Sequence, residues 1–242
     1  MLAGLYPIVP HALRARRDRA FTVRRALVEW GVSAALSAVR PLGFAPMPGA
    51  RGRGPRPIVM VHGYAMNRAC FVPLAARMAR AGLGPIVGFE YWTLGRVAAG
   101  ARQLAWFVDE VRRQTGAEEI DIVGHSMGGV VARYYVALLR GDGVVRTLVT
   151  LGSPHLGTEM SRAGIGHPTR ELVVGSTLLA RLASAPPPLR TKLVAIWSRA
   201  DALVPGAQQQ LAGAETILYD DLGHVALLGS RRVAHEIVTR LR

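Results

Sequence analysis

Glu119-Ile120-Asp121-Ile122-Val123-Gly124-His125-Ser126-Met127-Gly128-Gly129-Val130-Val131 is the stretch whose reading decides the fold. Its first five residues alternate and end in β-branched side chains, as a strand does. Beyond it, Val130, Val131, Tyr134, Ala137 and Leu138 recur at helical spacing, and Arg140-Gly141 reads as the helix end. Between strand and helix stands a serine in the pattern G-x-S-x-G. A serine hydroxyl is a poor nucleophile unless it is exposed, strained and beside a base, and a sharp strand-to-helix turn exposes it. The residues two before and two after crowd such a serine, and Gly124 and Gly128 have no Cβ to clash there. The competing reading is a glycine-rich turn whose serine only caps the helix.

Outward from this turn the chain alternates strand and helix signals, which predicts an α/β domain with a mostly parallel sheet and helices on both faces. Upstream, Ile58 to Val61 is a short buried strand, 69–81 a helix ending at Gly82, and Ile86 to Phe89 a strand. Val97, Ala101, Leu104, Val108 and Val111 mark one face of a long helix that stops at Gly116. Downstream, Thr147 to Leu151, Leu193 to Trp197 and Thr216 to Tyr219 are strands, and a helix begun by Ser230 closes the chain. Between 152 and 190 the pattern lapses. Thr169 to Ala183 can hold one helix there, either as a small cap (153–190) over the carboxyl ends of the strands or as a plain crossover.

At 242 residues, half of them apolar, the chain suits one α/β domain over 57–242, preceded by a distinct segment at 1–56. No run of about 18 uncharged apolar residues occurs, so a transmembrane helix is not expected. The formal net charge is +14, nearly all arginine, since Lys192 is the one lysine. Such a surface attracts anions. The arginines are spread along the chain with no nucleic-acid-binding motif, which argues for a solvated basic surface and against nucleic-acid binding. Cys70 is the single cysteine, so no internal disulfide forms, and its helix-like setting reads as core.

The segment 1–56 sets Arg14, Arg16, Arg17, Arg19, Arg24 and Arg25 before an apolar run from Ala26 to Val39 broken by Glu29. A signal sequence fits poorly, because the charged region is too long and Glu29 is misplaced. Cytoplasmic or membrane-peripheral localisation is therefore expected over secretion. An amphipathic helix on an anionic membrane, with Trp30 at the interface, is one reading. A helix packed on the domain through Leu27, Trp30, Ala34 and Val39 is the preferred one. Pro41 to Pro57, rich in Gly, Pro and Arg, reads as a linker.

A serine nucleophile needs a base and a carboxylate to orient it. Asp201 follows the strand ending at Trp197, and His224 follows the last strand. Asp220 and Asp221 lie too close to His224 in sequence for the usual loop geometry. His125 should point away from Ser126, while His11, His167 and His235 have no comparable placement. The expected catalytic set is Ser126, His224 and Asp201. The oxyanion needs two preorganised N–H donors: Met127, just after the nucleophile, and Tyr64, after the turn His62-Gly63. Apolar residues nearby, Met66, Leu156, Val204 and Val225, are candidate substrate contacts, with plain core packing as the competing reading.

Val61-His62-Gly63-Tyr64, Gly124-His125-Ser126-Met127-Gly128-Gly129 and Thr150-Leu151-Gly152-Ser153-Pro154-His155-Leu156-Gly157-Thr158, in this order, resemble the bacterial lipase and esterase branch of the α/β-hydrolases. The Ser, Asp, His order is that family's order as well. The resemblance covers residues 57 to 242 and implies an α/β-hydrolase fold with a small or absent lid. It also implies hydrolysis of small-molecule or lipid esters through a serine acyl-enzyme, with no cofactor. It suggests that Ser153-Pro154-His155 borders the site and that an acyl chain lies near the helix after residue 67. The region 152–190 is short beside the lids of many lipases, and no aspartate pair matches the calcium site of some larger members, so no metal is expected. Acyl transfer or thioester cleavage on the same triad, and ligand binding without turnover, stand as the alternatives. Oligomeric state is not legible here.

Overall fold

The computed structural model describes residues 47–242 apart from Arg53 and Pro55; the readings of residues 1–46 lie outside the described residues, whereas the end of the expected linker packs on the domain, with Met47 in its core and the Gly49 carbonyl accepting the Ile86 N–H. Six strands form one sheet: β1 (Ile58–Val61), β2 (Ile86–Phe89), β3 (Ile120–His125), β4 (Val145–Leu151), β5 (Lys192–Ser198) and β6 (Glu215–Tyr219). Their order is β2-β1-β3-β4-β5-β6, and every neighbouring pair is parallel. Parallel neighbours need long crossovers, and helices supply them: α1 (Val72–Arg80), α2 (Val97–Thr115), α3 (Met127–Leu138), α4 (Pro168–Glu171), α5 (Thr177–Ala183), α6 (Ala226–Gly229) and α7 (Arg231–Leu241).

Alternation along β1 shows why both faces are covered. Ile58 and Met60 point into a core shared with α1, α6 and α7, and Val59 and Val61 into a second core with α2, α3 and α5. The strands are apolar on both faces for this reason. Gly116 ends α2 in the left-handed conformation and Ser230 caps α7 by accepting the Val233 N–H. Two local expectations are refined. The helix expected over 69–81 is a 3-10 turn, Arg68–Phe71, capped by Asn67, followed by α1, whose second residue is Pro73. At the end of α3 the left-handed residue is Arg140 (φ 64°), not Gly141.

At the amino ends of the strands, the fold is pinned by one buried carboxylate. Asp121 is 1% exposed and lies between Arg56 (Nε to Oδ2, 3.3 Å) and Arg146 (Nε to Oδ1, 3.2 Å). Both guanidiniums also donate to the Leu241 carbonyl at 3.0 Å, where the negative end of the α7 dipole accumulates. Burial pushes the Asp121 carboxyl up, against the pull of Arg146 and Arg56. Asp121→Ala would leave two half-buried cations without their counter-charge. A loss of about 3 kcal/mol is expected, a fall in melting temperature of roughly 6–12 °C by scanning calorimetry.

Candidate active site

The carboxyl end of β3 carries Ser126, at φ 54° and ψ −128°, a conformation that non-glycine residues adopt only where the surroundings impose it. Two contacts impose it. The Ser126 N–H donates to the Leu151 carbonyl at 2.9 Å, and α3 starts so close to β1 that a Cβ on Gly128 would sit 2.1 Å from the Val61 oxygen. On Gly124, a Cβ would sit 2.6 Å from the Gly129 Cα. The turn is therefore closed to larger residues on both sides of the serine.

Asp201 and His224 meet on loops after β5 and β6. His224 Nδ1 lies 2.7 Å from Asp201 Oδ2, and both side chains are almost wholly buried. The other carboxylate oxygen accepts the N–H groups of Leu203 and Val204, each at 2.9 Å. Asp201 is thus an acceptor on both oxygens, and its contact fixes the His224 proton on Nδ1, leaving Nε2 as the basic nitrogen. Gly152 (φ 57°) abuts this pair: a Cβ there would lie 3.1 Å from both Asp201 Oδ2 and His224 Nδ1.

Ser126 and His224 line one cavity of about 360 Å³ together with Tyr64, Met66, Met127 and Val204. Residues of the 152–190 region roof it, among them Thr158, Met160, Gly164, Pro168 and Leu172. The region has two parts. Residues 158–172 cover the cavity, whereas α5 packs beside α3 through Leu179 and Leu182. The single helix expected over 169–183 is broken by Gly175 (φ 77°). Arg133 of α3, largely buried, ties α5 to the loop that leads into the roof by donating to the carbonyls of His155 (3.3 Å) and Leu182 (3.0 Å). Among the described residues no Asp, Glu, Lys or Arg lines the cavity, although the chain carries a net +14.

Of the four candidate substrate contacts, Met66 and Val204 line the cavity. Leu156 and Val225 do not: Leu156 is 48% exposed, and Val225 packs on the core beneath α6 and α7. Apolarity placed all four near the site, but only the fold decides which way each faces. The cavity lies under residues 158–172, and the stretch between β1 and α1 reaches it through Tyr64, Ala65 and Met66, with no described residue of α1 in its lining. Pro154 lines the cavity, while Ser153 and His155 are buried behind it. Burial, aided by Arg133, pushes the His155 ring down to about 3.

The remaining rivals are engaged elsewhere. Asp220 pairs with Arg199 and Asp221 with Arg232 on the surface. His167 precedes α4, and His235 is exposed on α7. His125 is fully buried; its Nε2 lies 3.1 Å from the His224 carbonyl and the two rings are 4.6 Å apart. Burial, then the neighbouring His224, holds its basicity well below that of a free imidazole.

The N–H groups of Tyr64 and Met127 donate to no protein acceptor among the described residues. Gly63 brings the first of them close to the nucleophile, since a Cβ on Gly63 would lie 2.9 Å from Ser126 Cβ. The Tyr64 hydroxyl is bound twice to the roof, donating to the Ile165 carbonyl (2.9 Å) and accepting its N–H (2.7 Å). Among the described residues no group of His, Cys, Asp and Glu is disposed to hold a metal ion, and no helix is long and apolar enough to cross a membrane. Cys70 is buried, and burial pushes its thiol up.

The mature Bacillus licheniformis lipase BlEst2 superposes with a TM-score of 0.67 at 15% identity, covering 77% of this chain and 91% of that one. MGS-MChE2, an α/β hydrolase enzyme from a sediment metagenome, superposes with a TM-score of 0.57 at 23% identity, covering 78% and 90%. At these identities the likeness is one of fold: a mostly parallel sheet between helices, the α/β-hydrolase fold. Two proteins named triacylglycerol lipase, from Pseudarthrobacter phenanthrenivorans and Burkholderia plantarii, are each 37% identical over 59 residues, 24% of this chain. The chain spans less than a fifth of the length of these curated relatives, 18% and 16%. Over residues 24–217 the sequence matches one family, and the chain belongs to it: Domain of unknown function (DUF7379).

Proposed function

We propose that this protein is a serine hydrolase of neutral carboxylic esters. The observation that carries the reading is a strained serine sharing one cavity, free of Asp, Glu, Lys and Arg among the described residues, with a histidine whose other ring nitrogen is 2.7 Å from a buried carboxylate. In this reading His224 Nε2 takes the Ser126 hydroxyl proton as Oγ bonds to the ester carbonyl carbon. The carbonyl oxygen becomes an oxyanion between the N–H groups of Tyr64 and Met127. His224 then gives its proton to the leaving alcohol, and an acyl-enzyme remains. Water, deprotonated by His224, attacks that ester, and the acid leaves with Ser126 restored. Asp201 stabilises the imidazolium formed in each half-reaction.

The lining supports the substrate class. Among the described residues it is apolar apart from a few hydroxyls and His224, and it offers no Lys or Arg to an anionic acyl group. The names of the similar lipases, each belonging to its own protein, agree with an acyl ester. The test is turnover of p-nitrophenyl esters of increasing acyl length, with labelling of Ser126 by a fluorophosphonate. Steady turnover and a single labelled serine support the reading, and neither result with folded protein removes it. Neutral butyrate should exceed the succinate half-ester in kcat/KM by at least about tenfold, because the half-ester's carboxylate would enter an apolar cavity unpaired. Equal values would refute that substrate class.

A further inference from the structure

His62 is 1% exposed and lies beside the nucleophile turn, yet the mechanism above gives it no part. Each of its ring nitrogens faces an oxygen. Nδ1 is 3.0 Å from the Gly63 carbonyl oxygen, and Nε2 is 3.3 Å from Glu90 Oε2, an ion-pair distance without hydrogen-bond alignment. A carbonyl oxygen only accepts, so Nδ1 carries the proton in its contact with Gly63. Glu90 is fixed in turn by accepting the Arg68 N–H at 2.6 Å. Burial raises this carboxyl, but the nearby His62 ring and the Arg68 N–H outweigh it and hold Glu90 below the usual range. Tyr91 completes the grip: its ring stacks on the imidazole at 4.8 Å, and its hydroxyl donates to the His62 carbonyl at 2.8 Å.

The Gly63 carbonyl that Nδ1 holds belongs to the same peptide unit as the Tyr64 N–H. That unit is trans and planar, so its C=O and N–H point in opposite directions, and fixing one fixes the other. We propose that His62, tethered by Glu90, is a positioning residue that aims the Tyr64 N–H at the oxyanion. The surrounding loop needs such a hold. Ala65 sits at φ 55°, a strained value for a side-chain-bearing residue, and the other bond to the Gly63 oxygen, from the Met66 N–H, is long at 3.3 Å. The tether also has a source in the fold. Val61 pairs with Phe89 in the sheet, so His62 and Glu90 are the next residues on adjacent strands and leave the sheet side by side.

This assignment rests on the serine-hydrolase reading, and the experiment separates the two. Wild type, Ser126→Ala, His62→Phe, His62→Asn and Glu90→Gln are compared in p-nitrophenyl ester kinetics, thermal melting and inhibition by an alkyl boronic acid. The boronate becomes tetrahedral on Ser126 and puts an oxygen where the oxyanion forms. His62→Phe keeps the ring stacked on Tyr91 but removes the Nδ1 donor. Its kcat should fall by about 10²-fold, the size of a lost oxyanion donor, with KM within a few-fold and boronate affinity falling alongside kcat. His62→Asn places an amide N–H near the Nδ1 position and should recover most of the loss. Glu90→Gln, at a half-exposed side chain, should lower kcat severalfold at unchanged KM and remains informative should His62→Phe not fold. Wild-type kcat in His62→Phe, or in Glu90→Gln, overturns the assignment, as does equal impairment of the Asn and Phe variants. An inactive, unlabelled wild type instead overturns the serine-hydrolase reading, and the His62 role falls with it.

Discussion

Ser126→Ala is expected to lower kcat on p-nitrophenyl esters by about 10⁵-fold or more, because the proposed acyl-enzyme needs Oγ. The fold should be indifferent to the change. Alanine keeps the Cβ that the turn already accommodates, the backbone bond from residue 126 to the Leu151 carbonyl survives, and no packing atom is lost. The melting temperature should stay within about 2 °C of wild type or rise slightly, since a strained catalytic residue is commonly a cost to stability. Activity above about 1% of wild type in a contaminant-free preparation would place the nucleophile elsewhere.

Asp201→Asn should be nearly as severe, about 10⁴-fold in kcat, and for a different reason. The substituted side chain would be isosteric, and its carbonyl oxygen could still accept the Leu203 and Val204 N–H groups that Oδ1 accepts now. Its amide nitrogen would then face His224 Nδ1 where a carboxylate oxygen now lies at 2.7 Å. Two donors cannot share that contact. The imidazole proton would move to Nε2, and the base would lose the lone pair that Ser126 needs. Proton NMR of the His224 ring should register the change of tautomer, and an unaltered kcat would show that Asp201 orients nothing.

Much of this was legible in the sequence because the signals are local. The strand-turn-helix around Ser126, the stop at Gly116 and the cap at Ser230 each depend on residues a few positions apart, and each lies where periodicity and capping put it. Chain order brought Asp201 and His224 forward for the same reason, since each stands just beyond a strand end. What depended on register was hidden. Nothing in the spacing of His62 and Glu90, 28 positions apart, announces that Val61 pairs with Phe89. The proximity of Gly152 to the Asp201–His224 pair likewise depends on where β4 and β5 end relative to each other, Leu151 being paired with Ile196. Leu156 and Val225 were misplaced because an apolar side chain on a loop can face a cavity, a core or solvent with the same sequence signal. The roof was seen as a gap in the pattern, but Gly175 divides it in two, and a mid-segment glycine does not by itself tell a kink from a tolerated helix residue.

The parallel sheet carries a consequence for how the cavity is assembled. None of its neighbouring strands is joined by a hairpin; β1 must pair with β3 across some sixty intervening residues, as Val59 with Ile122 shows. Non-local pairing of this kind is slow, because loop-closure entropy is lost before any contact compensates it. The cavity draws on loops that follow β1, β3, β4, β5 and β6, so it exists only when all five have docked. During refolding, helical signal should therefore return well before ester turnover does. Regain of activity becomes a clock for the last step of assembly.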